Sequence, residues 1–286
     1  MRSGDGGLKE IRYFYTMILF PNCKINLGLH VVSKRTDGFH NIETIFYPVP
    51  FYDALEIIRA SDDVFDFHAT GLAIPGENGH NLCARAFKLL QPAFKLPMVK
   101  MHLHKVIPMG AGLGGGSSDG AFTLKLLNQL FDLGQDKEQL MFFARELGSD
   151  CSFFIENRPL FAYERGDRFE STQIDLSGLT LLLVFPGLHV STAEAYSEVV
   201  PVKPEKSLKE LMKLPVEQWK DLLVNDFERP VFKKRPVIGE IKQKLYDAGA
   251  LYASMSGSGS AVYGLFSRTP AVKNVFTGFQ TFVFQL

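Results

Sequence analysis

Two hydrophobic periods alternate along the chain, and the points where one gives way to the other mark its elements. Cys23, Ile25, Leu27, Leu29 and Val31 alternate with Lys24, Asn26, Gly28 and His30, a period of two that predicts a strand with Lys24 and Asn26 on its polar face. Further strands are expected over 42–48, 54–59 and 63–69, and over 99–104, where Val99, Met101 and Leu103 alternate with Lys100, His102 and His104. Elsewhere the period lengthens. Leu82, Ala86 and Leu89 predict a helix with Asn81 as its N-cap, and Ala121, Leu124, Leu127 and Phe131 predict a second. Leu140, Phe143, Ala144 and Leu147 predict a third, opened by the capping pair Asp136 and Gln139 and stopped by Gly148. Strands are then expected over 151–155, 160–163 and 181–185. Helices follow from Ser207 with Glu210, from the stripe Val216, Trp219 and Leu222, and from Ile238, Ile241 and Leu245 ending at Gly249. Strands over 252–255 and 261–266 come last. The turn Glu164-Arg165-Gly166-Asp167 is read as the domain boundary, giving domains over 17–165 and 166–286 with 1–16 as an extension.

One stretch obeys neither period. Between the 99–104 strand and the second helix, Pro108 to Asp119 carries five glycines within the seven positions from Gly110 to Gly116. Glycine costs folding entropy and brings no packing, so a run of it needs a compensating use. A glycine loop that feeds a helix N-terminus turns N–H groups and the positive end of the helix dipole toward its contents, which suits phosphate. Other glycine motifs fit less well. Gly110, Gly112 and Gly115 satisfy a dinucleotide fingerprint, but the preceding strand is half-exposed and Asp132 does not end a second strand. A Walker A loop would need Gly-Lys-Ser/Thr, and this loop has Gly116-Ser117-Ser118. A nucleophile elbow at Ser118 would need a strand where Ala111 to Gly115 stand.

Composition narrows the partners. The formal charge is zero and no basic run occurs, which gives no support for nucleic acid as a partner. No apolar run approaches the roughly 18 residues of a membrane span. Cys23, Cys83 and Cys151 are odd in number and widely spaced, which fits a reducing cytoplasm. His102 and His104 share a strand face without a third ligand, so a zinc cage is not expected. Candidate chemistry remains open on the residues alone. Lys24 and Asn26 read equally as a surface face or a site, and Phe39 with His40 as structure or as a stacking surface. Asp150 sits two residues past a C-cap glycine, where a helix dipole repels an acid, and reads as a loop residue or as one kept for use.

Three motifs stand in order: Pro21-Asn22-Cys23-Lys24-Ile25-Asn26-Leu27-Gly28, the central glycine loop, and Ser256-Gly257-Ser258-Gly259-Ser260. Together they resemble the galactokinase, homoserine kinase, mevalonate kinase and phosphomevalonate kinase (GHMP) superfamily. The Asp37-Gly38-Phe39-His40 turn and Gly148-Ser149-Asp150 narrow the resemblance to members acting on a cytidyl-diphosphate polyol. What it implies is an α+β, two-domain GHMP kinase fold, ribosomal protein S5 domain 2-like in the N-terminal domain and ferredoxin-like in the C-terminal one. It implies ATP and Mg²⁺ as cofactors and transfer of the γ-phosphate to a hydroxyl of that small-molecule acceptor, in a cytoplasmic monomer or homodimer without membrane or nucleic-acid partners. Another acceptor of the superfamily (mevalonate, homoserine or a sugar) and a non-catalytic nucleotide-binding protein are the rival readings.

By the same resemblance Asp150 is the base and Lys24 orients the acceptor hydroxyl. Pro108, Met109, Gly110, Ala111, Gly112, Leu113, Gly114, Gly115, Gly116, Ser117 and Ser118 hold the ATP phosphates, with Ser118 the magnesium ligand, or else Ser117. Asn81 and Lys105 lie near the adenosine. Asn26, Phe39, His40, Tyr196, Gly257 and Ser258 face the acceptor. Cys151-Ser152 stands where the family usually has Val-Pro, and Phe39 stands for a common tyrosine.

Overall fold

A computed structural model describes residues 17–74, 81–272 and 274–286; the extension over 1–16 lies outside the described residues. The first half runs β1 (Met17–Leu19), β2 (Asn22–Lys34), β3 (His40–Tyr52), β4 (Ala54–Arg59), β5 (Asp66–Gly71), α1 (Leu82–Phe94), β6 (Val99–Lys105), α2 (Gly115–Leu130), α3 (Lys137–Leu147) and α4 (Cys151–Glu156). It continues with β7 (Leu160–Glu164), β8 (Arg168–Ser171), β9 (Thr180–Phe185), α5 (Thr192–Ser197), α6 (Leu208–Leu211), α7 (Glu228–Lys234), α8 (Pro236–Asp247), β10 (Tyr252–Met255), β11 (Val262–Phe266) and β12 (Gln280–Gln285).

Three four-stranded sheets result, ordered β1-β4-β6-β5, β2-β3-β7-β8 and β10-β11-β9-β12. Only β5 and β6 pair in parallel among the described strands. Helices α1 to α4 pack their apolar faces with Leu55, Ile57 and Met101 of the first sheet and Phe46 and Leu160 of the second. A second core joins Ile25, Leu27 and Ile45 of β2 and β3 to Leu181, Tyr252 and Tyr263 of the third sheet. The other face of that third sheet is covered by α7 and α8 through Val231, Ile238, Ile241 and Leu245. No described helix is long and apolar enough to cross a membrane.

β2 therefore lies between cores, and its first ten residues are all buried, polar ones included. Alternation finds the strand but leaves open whether the polar face meets water, because a covered polar face and a wet one have the same period. The capping box of α3 is present as expected: Asp136 Oδ1 accepts from Gln139 N at 2.9 Å and Gln139 Oε1 from Asp136 N at 2.8 Å.

Two expected elements take another form. The 151–155 run is helix α4 rather than a strand, with all five residues buried. A short, wholly buried apolar run satisfies either period, and here it packs Phe153 and Phe154 into the helical core. The Val216, Trp219 and Leu222 stripe forms only a 3-10 turn, Val216–Gln218, curled around a buried Trp219 whose Nε1 donates to Leu214 O at 2.8 Å. The turn read as a domain boundary closes the β7–β8 hairpin, so strand pairing of the β2 sheet extends to Ser171.

Replacing Asp136 with Ala should cost about 1 kcal/mol of unfolding free energy in urea titration while turnover is unchanged, since the cap lies at the far end of α3 from Gly148.

Candidate active site

Lys24 is only 3% exposed although it sits on a polar strand face. Its Nζ donates to Asn26 Oδ1 at 2.5 Å and to Gly112 O at 3.0 Å. It also lies 5.0 Å from the centre of the Phe46 ring and 3.7 Å from Asp150 Oδ2. Burial lowers the Lys24 amine from its usual range, and the Asp150 charge works against that fall. The backbone joins in: Lys24 N donates to Leu113 O at 2.9 Å.

The glycine loop is clamped from two sides. Ala261 N donates to Ala111 O at 3.1 Å, and Ser256 Oγ donates to Gly112 O at 2.9 Å. At Gly112 φ is +78° and a Cβ would fall 1.8 Å from Ser256 O, so no side chain is possible there. Gly116 differs, because a Cβ on it would meet nothing within 4 Å. No protein atom demands glycine at that point; the open space is the cleft itself. Gly114 occupies the N-cap position of α2 without a side-chain cap, leaving first-turn N–H groups to whatever enters.

The cleft has a volume of about 860 Å³. Its walls include Lys24, Asn26, Phe39, His40, Pro108 to Ser117, Asp150, Tyr196, Gly257 and Ser258, so most of the expected site residues meet there. Within the cleft, His40 stacks on Tyr196 with ring centres 4.8 Å apart at 19°, and Phe227 meets Tyr196 edge-on at 4.8 Å. Burial and the Asp150 charge push the Tyr196 hydroxyl up to about 12, which keeps it a donor. Gly257 O is fixed by Asn225 Nδ2 at 2.8 Å, and Ser258 Oγ lies 3.4 Å from Thr192 Oγ1.

Asp150 is better placed than its position after Gly148 suggests. The chain turns at once into α4, so Asp150 stands at that helix's N-cap position and meets a positive helix end rather than a negative one. The misreading follows from taking 151–155 as a strand.

Three expected residues do not reach the cleft. Lys105 is 1% exposed; its ammonium pairs with Asp53 and, at 2.8 Å, with Asp119 Oδ2. Asp53 Oδ1 also accepts from Val106 N at 2.5 Å and Ile107 N at 2.9 Å, so this buried cluster anchors the entry to the glycine loop. Burial pushes the Asp119 carboxyl up to about 7 against the pull of Lys105. Ser118 is 0% exposed and its hydroxyl has no hydrogen-bond partner among the described residues, whereas Ser117, one step round the helix, lines the cleft. Asn81 caps α1, its Oδ1 accepting from Cys83 N at 2.7 Å. Among the described residues no cluster of three or more His, Cys, Asp or Glu side chains could hold a metal ion.

The chain is similar to known proteins in both sequence and fold. The family model for the GHMP kinases N terminal domain matches residues 81–157, and that for GHMP kinases C terminal matches 204–283. A Bacteroides fragilis protein named 4-diphosphocytidyl-2-C-methyl-D-erythritol kinase is 53% identical over 88% of this chain and 92% of its own length. A protein of the same name from Chlorobium phaeobacteroides is 40% identical over 85% and 84%. The chain belongs to the 4-diphosphocytidyl-2-C-methyl-D-erythritol kinase family of the GHMP kinases. A crystal structure of 4-(cytidine 5'-diphospho)-2C-methyl-D-erythritol kinase superposes with a TM-score of 0.73 at 33% identity, covering 87% of this chain and 90% of that one. Methanococcus jannaschii mevalonate kinase, at 15% identity with a TM-score of 0.68 over 94% and 98%, shares the fold of this family.

Sequence reading misses Phe227, Arg165 and His189 on the cleft wall. Arg165 sits in the turn read only as a boundary, and its guanidinium lies 4.1 Å from the Phe39 ring centre. Phe227 lies two residues after Asn225, whose Oδ1 accepts from Phe227 N at 3.0 Å in a local turn.

Replacing Lys105 with Met leaves Asp53 and Asp119 facing each other in the interior without a cation, and should cost about 3–5 kcal/mol in urea unfolding, or prevent folding.

Proposed function

We infer that the chain transfers the γ-phosphate of ATP to the 2-hydroxyl of 4-diphosphocytidyl-2-C-methyl-D-erythritol, giving the 2-phosphate and ADP in the non-mevalonate route to isoprenoids. One observation carries the reading: an ammonium and a carboxylate 3.7 Å apart stand between an uncapped helix N-terminus and an aromatic stack in one cleft. The acceptor follows from the name borne by relatives 40 and 53% identical along most of their length.

Phosphoryl transfer asks for alignment, charge neutralisation and a base within reach of the hydroxyl. The first-turn N–H groups of α2 hold the phosphate tail. Asp150, its side chain 37% exposed at the cleft, takes the hydroxyl proton as the oxygen bonds to the γ-phosphorus and the bridge to the β-phosphate breaks. Lys24, already held by two oxygen acceptors, offers its remaining N–H to the oxygens gaining charge. Fixed in advance, it needs no reorganisation as the reaction proceeds. His40, Tyr196 and Phe227 stack on the cytosine, and Arg165 adds positive charge on that side.

Mg²⁺ bound with the nucleotide would neutralise phosphate charge, and Ser117 and Asp150 are the oxygen donors on the cleft wall that would hold it. We assign the protein to the cytoplasm on its three buried free thiols.

Asp150→Asn should lower kcat by about 10³-fold or more with ATP affinity nearly unchanged, measured by coupled ADP release. Gly116→Ala should leave the free protein as stable or slightly more so, because Ala suits a helix, yet weaken ATP binding about tenfold by filling the open space at the loop. In an acceptor panel, only the cytidyl-diphosphate compound should release ADP. Release with mevalonate, homoserine or a sugar instead would favour a different acceptor, and ATP binding without any turnover would favour a nucleotide-binding protein.

A further inference from the structure

Lys24 reaches its position through Asn26, and an amide can face two ways. Asn26 Oδ1 accepts from Lys24 Nζ at 2.5 Å while Asn26 Nδ2 donates to Thr44 Oγ1 at 2.9 Å. A flipped amide would turn two N–H donors on the ammonium and remove one of its acceptors. The ammonium, which only donates, selects Oδ1 for itself, and the other end of the amide has then to be held in place by an acceptor.

Thr44 does so through a proton that is already committed. Its hydroxyl donates to Gly28 O at 2.6 Å, and a carbonyl oxygen can only accept. With that proton spent, Oγ1 has only lone pairs left for Asn26. The Nδ2 end of the amide is therefore the one that fits toward Thr44, and Oδ1 is left for Lys24.

The free carbonyl at Gly28 has its own cause in the strand. Leu27 pairs with Ile45 and Leu29 with Thr44, so Gly28 is the extra residue of a bulge with no partner across the ladder. Its φ is +65° and a Cβ there would lie 2.8 Å from Leu208 Cδ2, so only glycine allows the kink that turns this carbonyl toward Thr44. Thr44 itself is 0% exposed and is not part of the cleft wall. It cannot touch either substrate.

We propose that Thr44 is a positioning residue for phosphoryl transfer, acting through a Gly28–Thr44–Asn26 hydrogen-bond relay that fixes the direction in which Asn26 presents its oxygen to Lys24. The inference rests on the kinase reading of the cleft. Thr44→Val keeps the branched shape and removes the hydroxyl, leaving Asn26 Nδ2 without its acceptor and the amide free to shift. Thr44→Ser keeps the hydroxyl and loses a methyl.

The test is steady-state kinetics of both variants with ATP and the cytidyl-diphosphate acceptor, alongside thermal unfolding. Thr44→Val should lower kcat about tenfold to a hundredfold, with both KM values within about twofold, because an ammonium displaced by a fraction of an ångström is felt in the transition state more than in binding. Thr44→Ser should recover kcat to within about threefold. A purely structural role would lower stability in both variants without that split. If Thr44→Val does not fold, Thr44→Ala, which relieves crowding, gives the same reading. Wild-type kcat in the Val variant, a loss confined to KM, or a Ser variant as slow as Val would overturn the inference. Lack of turnover in the unmodified protein would instead overturn the kinase reading itself.

Discussion

Burying the Lys24 ammonium beneath the glycine loop is the constraint to which the rest of the site answers. A cation taken from water is tolerated only when acceptors and opposite charge meet it, and Lys24 has an amide oxygen, a backbone carbonyl, an aromatic face and a carboxylate around it. Each of these comes from a different part of the chain. The amide oxygen lies two residues along β2, the carbonyl in the loop before α2, the ring on β3 and the carboxylate at the start of α4. Satisfying one charge thus draws four elements to one point, and that point is where an acceptor hydroxyl can meet a phosphate tail.

The two glycine segments follow from the same convergence. Gly112 O accepts from both Lys24 and Ser256, so the central loop and the 256–260 loop touch where a side chain on Gly112 would separate them. The 256–260 loop is held in turn by Asn225, which donates to Met255 O and Gly257 O at 2.8 Å each. Below the central loop, the Asp53, Lys105 and Asp119 cluster ties its entry to Asp119, the fifth residue of α2. The central glycine loop is thus tied at its entry to the first sheet and at its middle to β2 and the 256–260 loop.

Much of this architecture is legible in the amino-acid sequence, and the exceptions have physical reasons. Strand and helix periods mark β2, β4, α1, α3 and α8 well, because apolar and polar residues recur there at a fixed spacing, whereas the wholly buried β10–β11 pair is marked by the glycine loop between its strands. Helix α4 was misread because five buried residues in a row carry no period at all. Most residues of the cleft wall are legible from motifs, because each motif supplies a neighbouring stretch of that wall. Lys105 and Ser118 belong to the motif and yet face inward, since a sequence motif records a neighbourhood and not the direction of each side chain. Arg165 and Phe227 were missed for the opposite reason: they sit in a turn and beside a cap, and only the folded chain brings them to the wall.

The central claim is that Lys24 acts on the transferring group rather than merely holding the loop. The most direct measurement is the single-turnover rate of phosphoryl transfer by Lys24→Met with ATP and acceptor both saturating, read beside the ATP dissociation constant. The account predicts a fall in rate of about 10³-fold or more with the dissociation constant changed by less than about threefold. A rate within about tenfold of the unmodified protein would contradict it.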